Sequence, residues 1–271
     1  MPELPEVETT RRGLQPWVEG QRIESVTVRE SRLRWPVPDD LPRLLAGQTV
    51  QRIWRRAKYL ILDFPHGHLI VHLGMSGSLR LAEPDEPLRK HDHVLIRMAN
   101  GKEVRFHDPR RFGALLWTTE PPERHPLLAE LGPEPLSDAF DTDYLYGKAR
   151  GRRVAVKLFL MDAKVVPGLG NIYSNESLWE AQIHPKRPAG RIARPRMARL
   201  VAAIKTVLED AIAQGGTTLR DFIHGEGEPG YFAIRLRVYG KEGEPCPRCA
   251  TPIRRIVLGG RSTYYCPKCQ T

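Results

Sequence analysis

Residues 93–107 read HVLIRMANGKEVRFH. Two apolar-rich arms flank Asn100-Gly101. Asn-Gly is the strongest short-range hairpin signal, because a tight turn between twisted strands needs positive φ at its centre. The stretch therefore predicts an antiparallel strand pair. Its neighbours repeat the theme. RIESVTV (22–28) alternates in polarity, and YLILDF (59–64) and HLIVHL (68–73) flank the turn residues Pro65, His66 and Gly67. Several short strands with turn punctuation predict a sandwich or barrel.

The chain changes character on either side of these strands. Residues 3–13 predict a short helix. Pro5 suits a first turn, Glu3 and Glu6 complement the positive end, and Arg11 and Arg12 the negative end. The stretch 118–140 is rich in proline and acid and predicts a connection with a short helix inside it. Beyond it, residues 154–166, 171–183 and 194–216 carry helix-like apolar spacing, the last ending in the stop signal Gly215-Gly216. A polar, glycine-containing loop follows at 217–232. The expected fold is α+β in two domains, with boundaries at 1–118, a linker 119–136, a helical domain 137–235 and a terminal finger 236–271.

The four cysteines all lie at the end of the chain, as CPRC (Cys246, Cys249) and CPKC (Cys266, Cys269), with 16 residues between the pairs. Two residues between thiols let both reach one metal from a tight turn, and two such turns complete a tetrahedron. The charged start, without an apolar run, gives no sign of export, and disulfides are disfavoured in a chain that stays inside the cell. One structural Zn2+ is expected. Four sulfurs leave it no open position for catalysis.

The 271 residues carry a net charge of +10. Residues 1–134 hold 20 Lys/Arg against 19 Asp/Glu, whereas residues 135–271 hold 22 against 13. A basic half on a near-neutral one fits a polyanionic partner, most simply nucleic acid, or else a surface kept soluble by charge. No apolar run approaches the roughly 20 residues of a membrane span. A cytoplasmic protein is expected.

Pro2 admits two readings from its residues alone. It can start the helix. With Met1 removed it also presents a secondary α-amine, whose pKa near ~8 leaves a useful neutral fraction, and a helix N-terminus lowers that value further. A neutral amine is a competent nucleophile.

Several stretches together resemble one family: PELPEVETTRRGL, RRAKYLIL, HLGMSGSLR, DPRRFGALLW, LMDAKVVPGLGNIYSNESLW, GGTTLRDF, PGYF, VYGKEGEPCPRC and YYCPKC. In this order, from residue 2 to residue 269, they resemble the bacterial formamidopyrimidine-DNA glycosylases, which remove 8-oxoguanine. The resemblance implies an N-terminal β-sandwich with flanking helices, a helix–two-turn–helix domain and a zinc-finger β-hairpin. It implies a bifunctional glycosylase and AP lyase acting on double-stranded DNA that contains oxidised purines, as a monomer in the bacterial cytoplasm, associated with the nucleoid.

The resemblance also implies residue roles. Pro2 becomes the nucleophile at the sugar C1′, Glu3 the acid/base beside the sugar ring oxygen, and Glu6 a support for the N-terminus. Lys58 and Arg261 join the catalytic set beside the lesion's phosphates. A base must leave the duplex to be reached, so the hole needs filling. Met75 and Phe112 are implied as the filling and the wedge, and Arg110 as donor to the orphaned cytosine. His91, Lys157, Asn171 and Tyr239 are implied as further DNA contacts. The 217–232 loop is implied to enclose the flipped purine. The related endonuclease VIII type, which prefers oxidised pyrimidines, would begin PEGPE rather than PELPE. A non-catalytic zinc-ribbon module would not need Pro2, Glu3 and Lys58.

Overall fold

The computed structural model describes residues 2–223 and 236–271, without the side chains of 216–223. In chain order the elements are α1 (Leu4–Val18), β1 (Ile23–Val28), α2 (Leu41–Leu45), β2 (Arg52–Arg56), β3 (Tyr59–Phe64), β4 (Gly67–His72), β5 (Ser78–Ala82), β6 (Asp92–Met98), β7 (Glu103–His107) and β8 (Ala114–Thr118). There follow α3 (Thr142–Ala149), α4 (Val156–Leu160), α5 (Asn171–Glu180), α6 (Arg194–Ile223), β9 (Arg254–Leu258) and β10 (Arg261–Tyr265).

The hairpin that 93–107 predicts forms as β6–β7. Arg97 pairs with Glu103, and Gly101 sits in the turn with φ +81°. The Asn100 side chain accepts from the Lys102 amide at 3.1 Å and donates to the Trp17 carbonyl at 2.9 Å, which ties the turn to α1. Two four-stranded antiparallel sheets result, in the orders β1-β6-β7-β5 and β2-β3-β4-β8. Leu60, Leu62 and Phe64 alternate onto one face of β3, and Val94, Ile96 and Met98 onto one face of β6. They share one core with Val7, Leu14 and Val18 of α1, so the sandwich and its flanking helix close on each other.

The helical expectations hold in part. Of 154–166 only Val156–Leu160 is helix. Asp162 ends it by accepting from the Lys164 amide through its side chain, at 2.9 Å, and from the Val165 amide through its carbonyl. That is the local competition by which aspartate favours turns. The stop at Gly215-Gly216 fails, because α6 continues to Ile223. A Cβ at Gly215 would run into the Thr9 hydroxyl of α1. That glycine serves close packing of two helices rather than termination.

The chain forms two compact units, 1–129 with 212–233, and 130–211 with 234–271. The division falls inside the linker expected at 119–136, which holds a 3-10 turn at Pro122–Arg124. It also assigns the end of α6 to the first unit, where contiguous domains were expected. The finger is no separate body. Trp179 of α5 and Val238 share a small core with Cys246, Ile253 and Cys266.

Candidate functional site

In the first unit the candidate residues begin at the start of α1. Pro2 is half-buried and Glu3 is only 1% exposed. The Glu3 amide donates to the Glu6 carboxylate at 2.8 Å, half of a capping box. Glu8, one turn on, pairs with Arg11, Arg12 and Arg55 at 2.9, 2.8 and 3.3 Å. Burial alone would raise the Glu8 carboxyl, but these guanidiniums hold it below the usual range. Arg55 also donates to the Ala57 carbonyl at 2.9 Å, so α1 is linked directly to the turn between β2 and β3. Lys58 occupies that turn rather than a strand, following Ala57 at φ +54°.

His72, at the end of β4, lies close enough to Lys58 to feel its charge. Burial first, then Lys58 and Arg34, lowers its pKa to about 4. The neutral ring accepts from the Gly74 amide at Nδ1, 3.1 Å away, and packs against Tyr59. Sequence reading assigned His72 nothing. Its signal was a histidine on the same strand as apolar neighbours, opposite the Lys58 turn.

Met75 and Phe112 are 43% and 46% exposed, on turns that follow β4 and β7. An isolated Met or Phe usually belongs to a core, and these two do not. Arg110 is exposed beside Phe112, and Arg111 takes φ +56° and pairs with Glu30 at 3.4 Å. The fully buried Asp108 lies beneath both turns. His91 is half-buried, its ring 5.9 Å from those of His93 and His107. Burial and the neighbouring His107 lower its pKa.

In the second unit Gly168 takes φ +89° and α5 starts at Asn171. The Asn171 side chain donates through Nδ2 to the Ser262 carbonyl at 3.2 Å and reaches the Tyr239 hydroxyl at 3.5 Å. Arg261 is exposed at the start of β10. Thus α5, Tyr239 and the finger hairpin are brought together. Lys157 requires a correction. It is fully buried, and Nζ donates to the Ser262 carbonyl at 3.0 Å and to Thr263 Oγ1 at 2.6 Å. An ammonium spent inside the fold does not offer itself to a phosphate or a lesion. Its place is that of a brace under the hairpin bearing Arg261.

Glu176 was also missed. Its buried carboxyl accepts from the amides of Arg237, Val238 and Tyr239 at 2.7, 3.0 and 2.8 Å. Burial raises its pKa against the pull of those amides. The signal was its i±3 spacing from Tyr173 and Trp179, which puts a carboxylate on the apolar face of α5.

The four cysteine sulfurs lie within 4.8 Å of one another, with near separations of 3.4, 3.5 and 3.9 Å. A tetrahedron with Zn–S bonds of about 2.3 Å has edges of about 3.8 Å, so the cage has the size zinc needs. Trp179 Nε1 and the Cys269 amide donate to Cys246 and Cys266 sulfurs at 3.5 and 3.3 Å. Hydrogen bonds from Thr251 bring the Cys249 thiol down to about 6, whereas burial and neighbouring sulfurs push Cys269 up to about 12. Four thiols this close need a cation to ionise together. Cys246, Cys249, Cys266 and Cys269 would hold the ion, and its contribution is to fix the finger's shape.

In the first unit a buried carboxylate stands beside Pro2 at one helix start and exposed apolar side chains sit on paired turns; in the second, four clustered cysteines adjoin a basic hairpin. That is the class of a DNA-modifying enzyme with a finger. Comparison with known proteins is specific. The "Formamidopyrimidine-DNA glycosylase N-terminal domain" matches residues 1–115, the corresponding "H2TH domain" residues 131–223, and the "Zinc finger found in FPG and IleRS" residues 243–271. Formamidopyrimidine-DNA glycosylases of Methylococcus capsulatus and Thioalkalivibrio sulfidiphilus are 60% and 59% identical over the whole of both chains. A Lactococcus lactis Fpg, solved in complex with DNA containing an abasic site, superposes with a TM-score of 0.89 at 37% identity, covering 99% of each chain. The chain belongs to the formamidopyrimidine-DNA glycosylase family.

Proposed function

We propose that the protein is a bifunctional DNA glycosylase and AP lyase that removes oxidised purines, 8-oxoguanine and formamidopyrimidines, from double-stranded DNA. The observation that carries this is the match along the whole chain to formamidopyrimidine-DNA glycosylases at about 60% identity. Structural relatives at 37% identity are described with Fapy-dG DNA as well as with an abasic site. No described helix is long and apolar enough to cross a membrane. The chain acts as a monomer in the bacterial cytoplasm, on the DNA of the nucleoid.

The residue roles are those that membership of the family implies. Pro2, freed of Met1, attacks C1′ of the damaged nucleotide. The bond from C1′ to the base breaks, and the base leaves with its electron pair. The amine gives up its proton, which neutralises the departing base, and the bond from C1′ to the ring oxygen breaks as an iminium forms between Pro2 and C1′. Glu3, buried beside Pro2, supplies the proton to the ring oxygen and later accepts one. The iminium acidifies the sugar, so β- and then δ-elimination expel the 3′ and 5′ phosphates, and water releases the enzyme. Lys58 and Arg261 hold the phosphates beside the lesion. Met75 and Phe112 fill the gap, and Arg110 donates to the unpaired cytosine. His91, Asn171 and Tyr239 contact the backbone of the DNA. The 217–232 loop encloses the flipped base. Of this stretch, 217–223 continues α6 where a loop was expected, and 224–232 lies outside the described residues.

Borohydride trapping on duplex DNA with 8-oxoguanine opposite cytosine tests this reading. A stable adduct on Pro2 of the methionine-free protein is expected. An adduct confined to an internal lysine, or none at all, overturns it.

A further inference from the structure

The two turns that carry Met75 and Phe112 come from different strands, yet they are fastened at one side chain. Asp108 is fully buried at the end of β7. Its Oδ2 accepts from the Gly113 amide at 2.8 Å. Its Oδ1 accepts from the Arg110 amide at 3.2 Å and from the Ser76 hydroxyl at 3.3 Å. Its backbone carbonyl accepts from the Arg111 amide at 3.2 Å and lies 2.8 Å from His93 Nε2. One carboxylate thus grips the turn 109–113 on both sides of Phe112 and grips the Met75 turn through the adjacent Ser76.

The backbones are fitted as closely as the hydrogen bonds. Gly74 takes φ +67°, and a Cβ there would run into the backbone of Phe112 and Gly113. A Cβ at Gly77 would meet the Leu73 carbonyl and approach Asp108 Cβ at 3.4 Å. Neither turn can shift without disturbing the other. Met75, Arg110 and Phe112 nonetheless remain exposed, so the rigidity lies beneath them and not in their own packing.

We propose that Asp108 is the positioning residue of the helix-opening platform: its carboxylate locks the two turns into one rigid unit, so that Met75 and Phe112 enter the duplex together while Arg110 faces the opposite base. This rests on the proposed roles of those three residues and adds the group that makes them act jointly. A wedge held by flexible turns would pay ordering entropy at each insertion, and a pre-set one does not. Asp108 touches no substrate in this role. It acts through the three side chains it places.

Asp108→Asn keeps the volume and replaces one acceptor oxygen by a donor facing backbone amides. Single-turnover excision is measured on 8-oxoguanine opposite cytosine, and strand cleavage on a preformed abasic site, where no base need be extracted. The substitution is made in the wild-type protein and in a Met75→Ala/Phe112→Ala background. Base excision is expected to fall about tenfold in the wild-type background and less than about twofold in the double variant, and abasic cleavage less than about threefold. Full multiplication of the losses, or equal loss on both substrates at an unchanged Tm, overturns the proposal. Where Asp108→Asn lowers the Tm enough to obscure this, Ser76→Ala decides. It releases only the Met75 turn, and its loss of about twofold to threefold should vanish in a Met75→Ala background; persistence there overturns the proposal. Wild-type protein that excises no base would instead refute the glycosylase reading itself.

Discussion

The backbone amide of Glu3 is held by the Glu6 carboxylate at 2.8 Å, so the residue one turn into α1 fixes the peptide that carries Pro2. A loose N-terminus would spread its amine over many positions. Here the capping contact restricts it, with Glu3 itself buried. Glu6→Ala is expected to cost about 1 kcal/mol of stability, the usual worth of a cap, and to slow borohydride trapping several-fold. Glu6→Gln, which retains an acceptor at the same reach, should recover most of both. Trapping of Glu6→Ala at the wild-type rate would show that the cap does not place the amine.

Lys157 separates a brace from a phosphate contact. A buried ammonium releases no counterions when DNA binds, whereas a phosphate-binding cation does. Lys157→Met should therefore weaken DNA binding while leaving the slope of log affinity against log salt unchanged. Arg261→Ala should reduce that slope by about 1. The salt titration of both variants decides. A reduced slope for Lys157→Met would return Lys157 to the DNA surface.

The strands were legible because apolar periodicity and turn residues act locally. YLILDF became β3 residue for residue, and Asn100-Gly101 became the turn between β6 and β7. The zinc cage was legible because spacing alone brings the thiols together. Lys157 was misjudged because nothing within five residues of it says that Ser262 and Thr263 will come to its ammonium. Gly215 was misjudged for the same reason, since its partner Thr9 is about two hundred residues away. Asp108 stands inside DPRRFG, but the Ser76 hydroxyl that it holds lies over thirty residues away and reaches it only in the folded chain. Carboxylates that hold turns from beneath leave no pattern until the turns are folded together.

Removing the metal should act on the second unit first. Structural zinc is coupled to folding of its finger, and β9–β10 carries Arg261 on a core of only a few residues. Chelation or Cys249→Ser is expected to abolish tight DNA binding. The sandwich, with its own large core, should retain its sheet signal in far-UV circular dichroism. One zinc per chain is expected by atomic absorption. Full DNA affinity in zinc-free protein would exclude the finger as a binding element.

Asp92 should make the sandwich sensitive to acid. Burial alone would raise its carboxyl. The His107 ring at 2.9 Å, the Arg89 amide at 3.0 Å and Arg80 at 3.0 Å outweigh burial and bring it down to about 2. A folded pKa below the unfolded one stabilises above the unfolded value and is lost as pH falls through the folded one. The window therefore runs from about 4 down to about 2, and the effect is about 2 kcal/mol. Urea melts of wild type and Asp92→Asn should differ most at pH 5 and converge toward pH 2.5. A gap that stayed constant would mean that the destabilisation is purely steric.

Arg110 and Lys58 should fail in different ways. Arg110 is exposed on a turn next to Phe112, where a guanidinium can offer paired donors to a base edge. Losing a good bidentate base contact costs about 1–3 kcal/mol and relaxes discrimination at that position. Arg110→Ala should therefore narrow the difference between lesions opposite cytosine and opposite adenine. Lys58 lies in the β2–β3 turn, linked to α1 through Arg55 and Glu8. As a phosphate contact it carries no sequence information, and Lys58→Ala should weaken binding to every duplex alike and lower its salt dependence. Both variants are to be measured on both opposite bases at two or more salt concentrations. Uniform weakening by Arg110→Ala, with the preference for cytosine intact, would make Arg110 a phosphate clamp and remove the base-reading role assigned to it.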